Sequence, residues 1–136
     1  MPRYYVSEAA ALLGVSDDTV RRWMEDGTLP GTRDENGRRV IDGVDLAHRS
    51  QEIAHAHEPP GARPAGQRTA RNSFTGLVTR VVADGVMAQV DLQCGPYRVV
   101  SLVSSESVRE LGLVEGSLAT AVVKATNVHL ETGPRP

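Results

Sequence analysis

The chain has few of the features that anchor or cross-link proteins. Its 136 residues contain a single cysteine, Cys94, so no disulfide can form within one chain. Aromatic residues make up only 4%, and any core must be built mainly from valine, leucine and alanine. No apolar run approaches the roughly 18 residues of a membrane-spanning helix, and no apolar segment follows Tyr5 as in a secretory signal. We therefore expect a cytoplasmic protein with no membrane attachment.

The charge is unevenly distributed and divides the chain. The net charge is −2, with −4 in residues 1–58, +3 in residues 59–72 and −1 in residues 73–136. The basic middle part coincides with a stretch rich in proline, glycine and alanine, which is typical of a linker. We predict four segments: a first domain (1–54), a linker (55–67), a second domain (68–131) and a tail (132–136). Domains this small usually need an oligomer or a ligand for stability.

The first domain shows the pattern of two short helices joined by a three-residue turn. A first helix is predicted after the N-cap Ser7, and Gly14 ends it. A second begins after Ser16, with apolar residues at helical spacing that would face the first helix: Val20, Trp23 and Met24. This arrangement is typical of the helix-turn-helix, whose second helix enters the major groove of DNA.

A wing and a third helix follow. Asn36-Gly37 is a two-residue hairpin signal between short extended segments that carry Arg33, Arg38 and Arg39. Asp42 is predicted to cap a third helix with four apolar positions: Val44, Leu46, Ala47 and Ile53. Five of the seven arginines of this domain lie between residues 21 and 39, which favours DNA contact over a merely solvated face.

These elements resemble the winged helix-turn-helix of the excisionase and MerR type. The resemblance covers residues 4–54 and rests on Gly-Val-Ser, Thr-Val-Arg-Arg-Trp, Gly-x-Leu-Pro, Gly-Arg-Arg and Asp-Leu in this order. It implies binding to double-stranded DNA, with five candidate contacts: Thr19, Arg21, Arg22, Arg38 and Arg39. Asp17 and Asp18 depart from the family's usual basic or neutral residues. They either accept hydrogen bonds from cytosine amino groups or compensate the helix dipole.

The second domain has the alternating pattern of strands. A first strand at 77–82 and a type I′ turn at Asp84-Gly85 are predicted to lead into a second strand, with Val86, Ala88, Val90 and Leu92 on one face. A break at Gly95-Pro96 precedes a third strand at 97–103. A short helix from Ser104 to Gly112 and a last strand at 118–126, which residues 128–130 extend, complete the order. This order is typical of an OB-like barrel.

The chemistry of the second domain favours a small anion. Only Phe74 and Tyr97 could stack on bases, which argues against single-stranded nucleic acid. Three segments instead supply hydroxyls, backbone N–H groups and two cations: 69–72, 104–107 and 124–126. Lys124 is the only lysine beside fourteen arginines, which indicates a need for a compact point charge. The alternative is a lysine whose stem merely covers apolar surface.

The same segments resemble the molbindin (Mop or TOBE) domain. The resemblance covers residues 68–131 and rests on Thr-Ala-Arg-Asn, Gly76-x-Val78, Ser-x-Glu106-Ser107 with Leu111 and Gly116, and Val-x-Lys124-Ala-Thr with Val128. It implies a molybdate or tungstate ligand held between subunits of swapped OB-like barrels, and hence an obligate homo-oligomer. By position, the oxyanion-binding residues would be Thr69, Arg71, Asn72, Ser104, Ser107, Lys124, Ala125 and Thr126.

Other combinations of residues are weak. His48, His55 and His57 with Glu58 form a poor metal site beside a linker, and Cys94 has no CxxC partner, so no metal centre is predicted. No catalytic triad, carboxylate pair or phosphate loop is found, so neither an enzyme nor an organic cofactor is expected.

Together the two resemblances imply an α+β chain of two domains that acts as a molybdate- or tungstate-responsive transcriptional regulator. The DNA-binding domain would recognise an operator, and the barrel would bind the oxyanion and assemble the chains, as a hexamer in preference to a dimer. Two alternatives remain open: an intracellular molybdate buffer or storage protein, and an architectural DNA-binding protein whose barrel only oligomerises.

Overall fold

The computed structural model of the chain describes residues 2–58 and 69–133. These residues form two compact units, one within 2–58 and one within 69–132, each with its own apolar core. No helix in the described residues is long and apolar enough to cross a membrane. Most of the linker predicted at 55–67 lies outside the described residues, and so does the end of the tail predicted at 132–136.

The first unit combines three helices with a small sheet in its described residues. In chain order the elements are β1 (Arg3–Tyr5), α1 (Val6–Leu13), α2 (Asp17–Glu25), β2 (Thr32–Arg33), β3 (Arg39–Asp42) and α3 (Gly43–Ala56). Strand β3 is central and pairs antiparallel with β1 and β2. The buried residues of its core come from α1, α2, the segment before β2, β3 and α3: Ala9, Ala10, Val20, Leu29, Ile41 and Leu46.

The helix-turn-helix forms as predicted, except at its first residue. The Ser16 Oγ accepts a hydrogen bond from the Thr19 N–H at 3.1 Å, and Gly14 adopts the left-handed conformation that ends α1. The prediction that Ser7 caps α1 is wrong, because the helix begins at Val6 with Tyr5 as its N-cap. The Tyr5 N–H donates to Glu8 Oε1 at 2.9 Å, which lets β1 pass directly into α1.

The wing also differs from the two-residue turn predicted for it. Strands β2 and β3 pair up to Arg33 and Arg39, so five residues form the loop between them. Gly37 has a positive φ but Asn36 has not, whereas a type I′ turn needs two such residues. The Asp34 Oδ1 accepts from the N–H groups of Asn36 and Arg38, both at 2.9 Å, and these two bonds shape the wider loop.

The second unit is a curled antiparallel sheet of the half-barrel kind, covered in part by one helix. Its described elements are β4 (Asn72–Ala83), β5 (Met87–Cys94), β6 (Tyr97–Ser104), α4 (Ser105–Leu111), β7 (Leu118–Val123) and a 3₁₀ turn (Ala125–Asn127). The strand order is β6-β5-β4-β7. The α+β architecture of a helix-turn-helix unit followed by an OB-like unit is therefore confirmed. The core of this unit is formed by Val78, Ala88, Val90, Leu92, Cys94 and Val108.

The long strand β4 connects the two sides of this sheet. Its residues 72–77 pair with β7 and its residues 77–83 pair with β5, with an irregularity between Val78 and Arg80. At Gly76 a Cβ atom would collide with the carbonyl of Gln93 and would lie 2.8 Å from the Sγ of Cys94. Glycine therefore allows β5 to approach β4 closely where the sheet curls. Cys94 is buried behind it, and burial raises the pKa of its thiol.

Three predicted details of the second unit are wrong. Strand β4 begins at Asn72 rather than at residue 77, because pairing with β7 extends it. The turn at Asp84-Gly85 is not type I′, since neither residue has a positive φ and the Asp84 carboxylate accepts from two backbone N–H groups instead. The last strand ends at Val123, because the Lys124 carbonyl accepts from the Asn127 N–H and turns the chain. Residues 128–130 do not form a strand.

Replacing Gly76 by alanine should destabilise the second unit by about 1–3 kcal/mol, because the new Cβ forces β4 and β5 apart. Calorimetric unfolding of the full chain measures the effect. Gly85→Ala is the matched control, since no atom lies within 4 Å of a Cβ placed there. The fluorescence transition of Trp23, the only tryptophan, reports the first unit and should stay unchanged. Equal unfolding profiles for the two variants would contradict the close-packing account.

Candidate anion-binding and DNA-binding sites

Strand pairing brings most of the predicted oxyanion ligands to one end of β4. Asn72, the first residue of β4, lies opposite Val123, the last residue of β7, and its Nδ2 donates to the Val123 carbonyl at 3.3 Å. Arg71 precedes this pair and Lys124 follows it. We call this group the lysine half-site: Thr69, Arg71, Asn72, Lys124, Ala125 and Thr126.

The lysine half-site presents mainly hydrogen-bond donors to solvent. Lys124, Ala125 and Thr126 are exposed, and a 3₁₀ turn begins directly after Lys124. The N–H groups of Ala125 and Thr126 have no hydrogen-bond partner within the part of the chain that the structure describes. Two N–H groups, a hydroxyl and an ammonium group thus belong to one short exposed turn, and groups of these kinds hold anions.

The two predicted serines lie elsewhere and form the serine half-site, Ser104 and Ser107. Ser104 caps α4: its Oγ accepts from the Ser107 N–H at 3.0 Å and donates to the Ser107 Oγ at 2.8 Å. Ser105 is buried, and its Oγ donates to the carbonyl of Asp84 at 2.8 Å. This bond fixes the start of α4 to the turn between β4 and β5.

The two half-sites therefore lie at opposite ends of β4. The lysine half-site is beside Asn72, whereas the serine half-site is beside the turn that follows Ala83. Eleven residue steps separate these positions, which is about 36 Å along an extended strand. A tetrahedral oxyanion is far smaller than this path. One chain thus places six of the eight predicted residues within a few positions of the Asn72–Val123 pair and holds the other two apart from them.

The recognition helix α2 presents a stripe of four charged side chains, which we call the outward stripe: Asp18, Arg21, Arg22 and Glu25. These residues are exposed and spaced by three, one and three positions, while Val20, Trp23 and Met24 pack toward the core. The Arg21 Nη1 donates to Asp18 Oδ1 at 3.0 Å, and its Nη2 lies 3.8 Å from Asp17 Oδ2.

The other DNA-binding candidates have their own partners. The guanidinium of Arg38 lies 3.9 Å from the centre of the Tyr5 ring. An Arg39 nitrogen lies 3.8 Å from a carboxylate oxygen of Glu25. The Thr19 hydroxyl is 2.9 Å from the Ser16 Oγ, so it contributes to the helix cap.

A cleft of about 370 Å³ brings the helix and wing arginines together. It is lined by the start of α1, the start of α2 and the wing: Tyr5, Val6, Ser7, Asp17, Arg21, Arg38 and Arg39. Arg22 is exposed on the outward stripe and does not line it. The combination of an exposed helix stripe with two wing arginines fits contact with a DNA backbone and an adjacent groove.

Two residues that order the wing were missed by the sequence analysis. The Tyr5 hydroxyl donates to Asp34 Oδ2 at 3.2 Å, which connects β1 to the wing below Arg38. Hydrogen bonds from the backbone N–H groups of Arg38 and Asn36 hold the pKa of Asp34 below its usual value. The stabilisation from these hydrogen bonds is therefore fully present above the usual pKa of an aspartate and is lost as the pH falls through the lowered pKa of Asp34. An aspartate two residues before Asn36-Gly37 was the available signal.

The histidines considered for a metal site make local contacts instead. The Nδ1 atoms of His55 and His57 lie 2.8 and 2.9 Å from the carbonyls of Gln51 and Ile53, one helical turn earlier. Within residues 2–58 and 69–133 no three metal-ligating side chains are grouped.

Comparison with known proteins matches each unit separately. A family model described as TOBE domain matches residues 68–130, and one described as helix-turn-helix domain matches residues 4–52. Molybdenum-pterin-binding proteins 2 and 3 of Clostridium pasteurianum are 43% and 41% identical over 61 residues, which is 44% of this chain and 90% of each relative. A solved molybdate-binding protein from Sporomusa ovata is 30% identical, with a TM-score of 0.47 over 48% of this chain and 98% of that one.

Proposed function

This chain belongs to the TOBE domain family and carries a helix-turn-helix domain ahead of that domain, and we propose that it is a molybdate-responsive regulator of transcription. The helix-turn-helix domain binds an operator in double-stranded DNA, and the TOBE domain binds molybdate or tungstate. The observation that carries the proposal is the presence of both domains in one chain, with relatives of the second named for binding molybdenum-pterin.

The donors of the half-sites favour a bare oxyanion over a pterin. The lysine half-site offers a hydroxyl-bearing turn, backbone N–H groups and two cationic side chains, and the serine half-site offers two hydroxyls. Neither contains an aromatic ring that could stack on a pterin. A dianion that leaves water needs at least one cation near it, because neutral donors alone compensate little of its charge. Lys124 is the compact cation of the lysine half-site, and Arg71 is the second.

The oxyanion site is completed between two copies of the chain. The lysine half-site of one copy and the serine half-site of another supply the ligands together, since one chain holds them at opposite ends of β4. The second unit also exposes large apolar side chains that an assembly would cover, among them Leu77, Leu102, Leu111 and Leu118. A homo-oligomer follows, with a hexamer preferred to a dimer.

An interfacial anion can control DNA binding through the geometry of the assembly. Ligand bound between copies stabilises one arrangement of the second units, and that arrangement sets the spacing of the DNA-binding domains. Thr19, Arg21, Arg22, Arg38 and Arg39 then contact the operator from domains held at the correct separation. Molybdate binding and operator binding are coupled in this way, whichever sign the response has.

A storage protein is the second candidate function. The curated relatives match this chain only in its second unit, over 90% of their own length, so that unit constitutes almost all of each relative. A chain that binds molybdate without altering its affinity for DNA would fit storage. A chain that binds DNA but no anion would instead be architectural.

Lys124→Ala should weaken molybdate binding about tenfold to a hundredfold, because hydrogen bonds to a charged group are the stronger ones. Arg71→Ala should have the second largest effect on molybdate affinity, and Ser107→Ala and Thr126→Ala should have smaller effects. Lys124→Arg should also impair binding, since a planar guanidinium displaces the compact ammonium. Calorimetry in sulfate-free buffer measures the order, with the exposed Arg109→Ala as a charge-matched control. Unchanged affinity and stoichiometry for Lys124→Ala would exclude the lysine half-site.

Mixing two defective chains tests whether the site lies between copies. Ser107→Asp repels the oxyanion from the serine half-site, yet an acid is favourable in the first turn of α4. Co-expression with Lys124→Ala chains should restore binding at about a quarter of the sites. These sites combine the lysine half-site of a Ser107→Asp chain with the serine half-site of a Lys124→Ala chain. Equilibrium dialysis with molybdate counts them. A mixture that binds no more than either variant alone would show that both half-sites must come from one chain.

A further inference from the structure

We propose that Asp18 and Arg21 act together as a base-reading pair. Arg21 donates to the O6 and N7 atoms of a guanine, and Asp18 accepts from the amino group of a cytosine or adenine in the adjoining part of the major groove. The inference rests on the proposed function, because it assigns sequence specificity to the DNA-binding domain. In this proposal Asp18 determines sequence specificity, although an acid at this position departs from the family's usual residues.

The geometry of α2 places both side chains where a base edge is within reach. Asp18 and Arg21 are neighbours on the outward stripe, as the second and fifth of the nine residues of the helix. The N-terminal residues of recognition helices are the ones that contact base edges. The side chain of Asp18 is 93% exposed. It does not cap the helix, because Ser16 fulfils that role through its bond from the Thr19 N–H. Besides its bond from Arg21, the Asp18 carboxylate can therefore accept a hydrogen bond from another partner.

The charge of the outward stripe argues against binding by phosphate attraction alone. Two acids and two arginines give it no net charge, so counterion release can supply little of the affinity of this helix. A carboxylate that enters the groove between two phosphate backbones also loses hydration and is repelled. A donor on a base compensates for that loss, and in the major groove such donors are the amino groups of cytosine and adenine.

The existing ion pair prepares Arg21 for guanine. The bond from Arg21 Nη1 to Asp18 Oδ1 uses one of five N–H donors, and the second ion-pair contact, to Asp17, is too long for a hydrogen bond at 3.8 Å. The carboxylate also restricts the orientation of the guanidinium before DNA arrives, so less side-chain freedom is lost on binding. Because an exposed ion pair of this kind is weak, it orients Arg21 without holding it away from DNA.

Binding-site selection from randomised duplexes compares the full-length parent with Asp18→Ala and Asp18→Asn. We expect Asp18→Ala to lose the preference at one position of the selected site and to bind the parental site about fivefold to a hundredfold more weakly. Asp18→Asn should shift the preference at that position toward adenine, which asparagine contacts through two hydrogen bonds. Glu52→Gln is the control, since the exposed Glu52 forms an ion pair of the same three-residue spacing on α3, with the partly buried Arg49. Its selected site should equal that of the parent.

The sites selected by the parent and by the two Asp18 variants decide whether Asp18 contacts a base. If Asp18→Ala selects the parental site and binds every duplex more tightly, the aspartate is only a repulsive charge and the inference is wrong. A parent that selects no sequence would overturn the proposed function together with the inference. A parent that selects a site shared by both Asp18 variants would overturn the inference alone. Circular dichroism of each variant verifies that α2 is intact.

Discussion

The functional arrangement of the second unit depends on one long strand that pairs with different partners along its length. Residues 72–77 of β4 pair with β7, and residues 77–83 pair with β5. The first pairing places Arg71 and Asn72 beside Lys124, and the second places the start of α4 at the other end of the strand. The close approach at Gly76 lets the sheet curl between these two regions. This separation is the reason for our proposal that two copies share the ligand site.

The first unit relies on charged pairs rather than on an excess of positive charge. Arg21 pairs with Asp18, Arg39 lies near Glu25, and Arg38 stacks on Tyr5. Such a surface binds DNA weakly by attraction to phosphate, so its affinity depends on specific contacts and on the spacing between domains. In the proposed regulator, a change in assembly geometry would then have a large effect on operator binding.

Local signals in the sequence were sufficient to predict most helix ends, and the resemblance of the motifs to two families predicted the identity of both units. Ser16 and Ser104 cap their helices, and Gly14 and Gly112 end theirs, because caps depend on nearby residues alone. The two turns were predicted wrongly because a carboxylate accepts from the backbone N–H groups of the loop, as with Asp34 in the wing. The start of β4 was predicted wrongly because it depends on pairing with β7, which is distant in the sequence. The separation of the half-sites could not be predicted, because it depends on the pairing of Asn72 with Val123, fifty-one positions apart.

In the proposed regulator the two units are coupled, and this coupling can be tested by measuring operator affinity with and without molybdate. The full-length protein is titrated onto the duplex that it selects, first in anion-free buffer and then with saturating molybdate. The account predicts a change in affinity of about 5- to 150-fold, matched by an equal change in molybdate affinity when operator is present. Equal operator affinity under both conditions, from a protein that binds molybdate and operator, would contradict it.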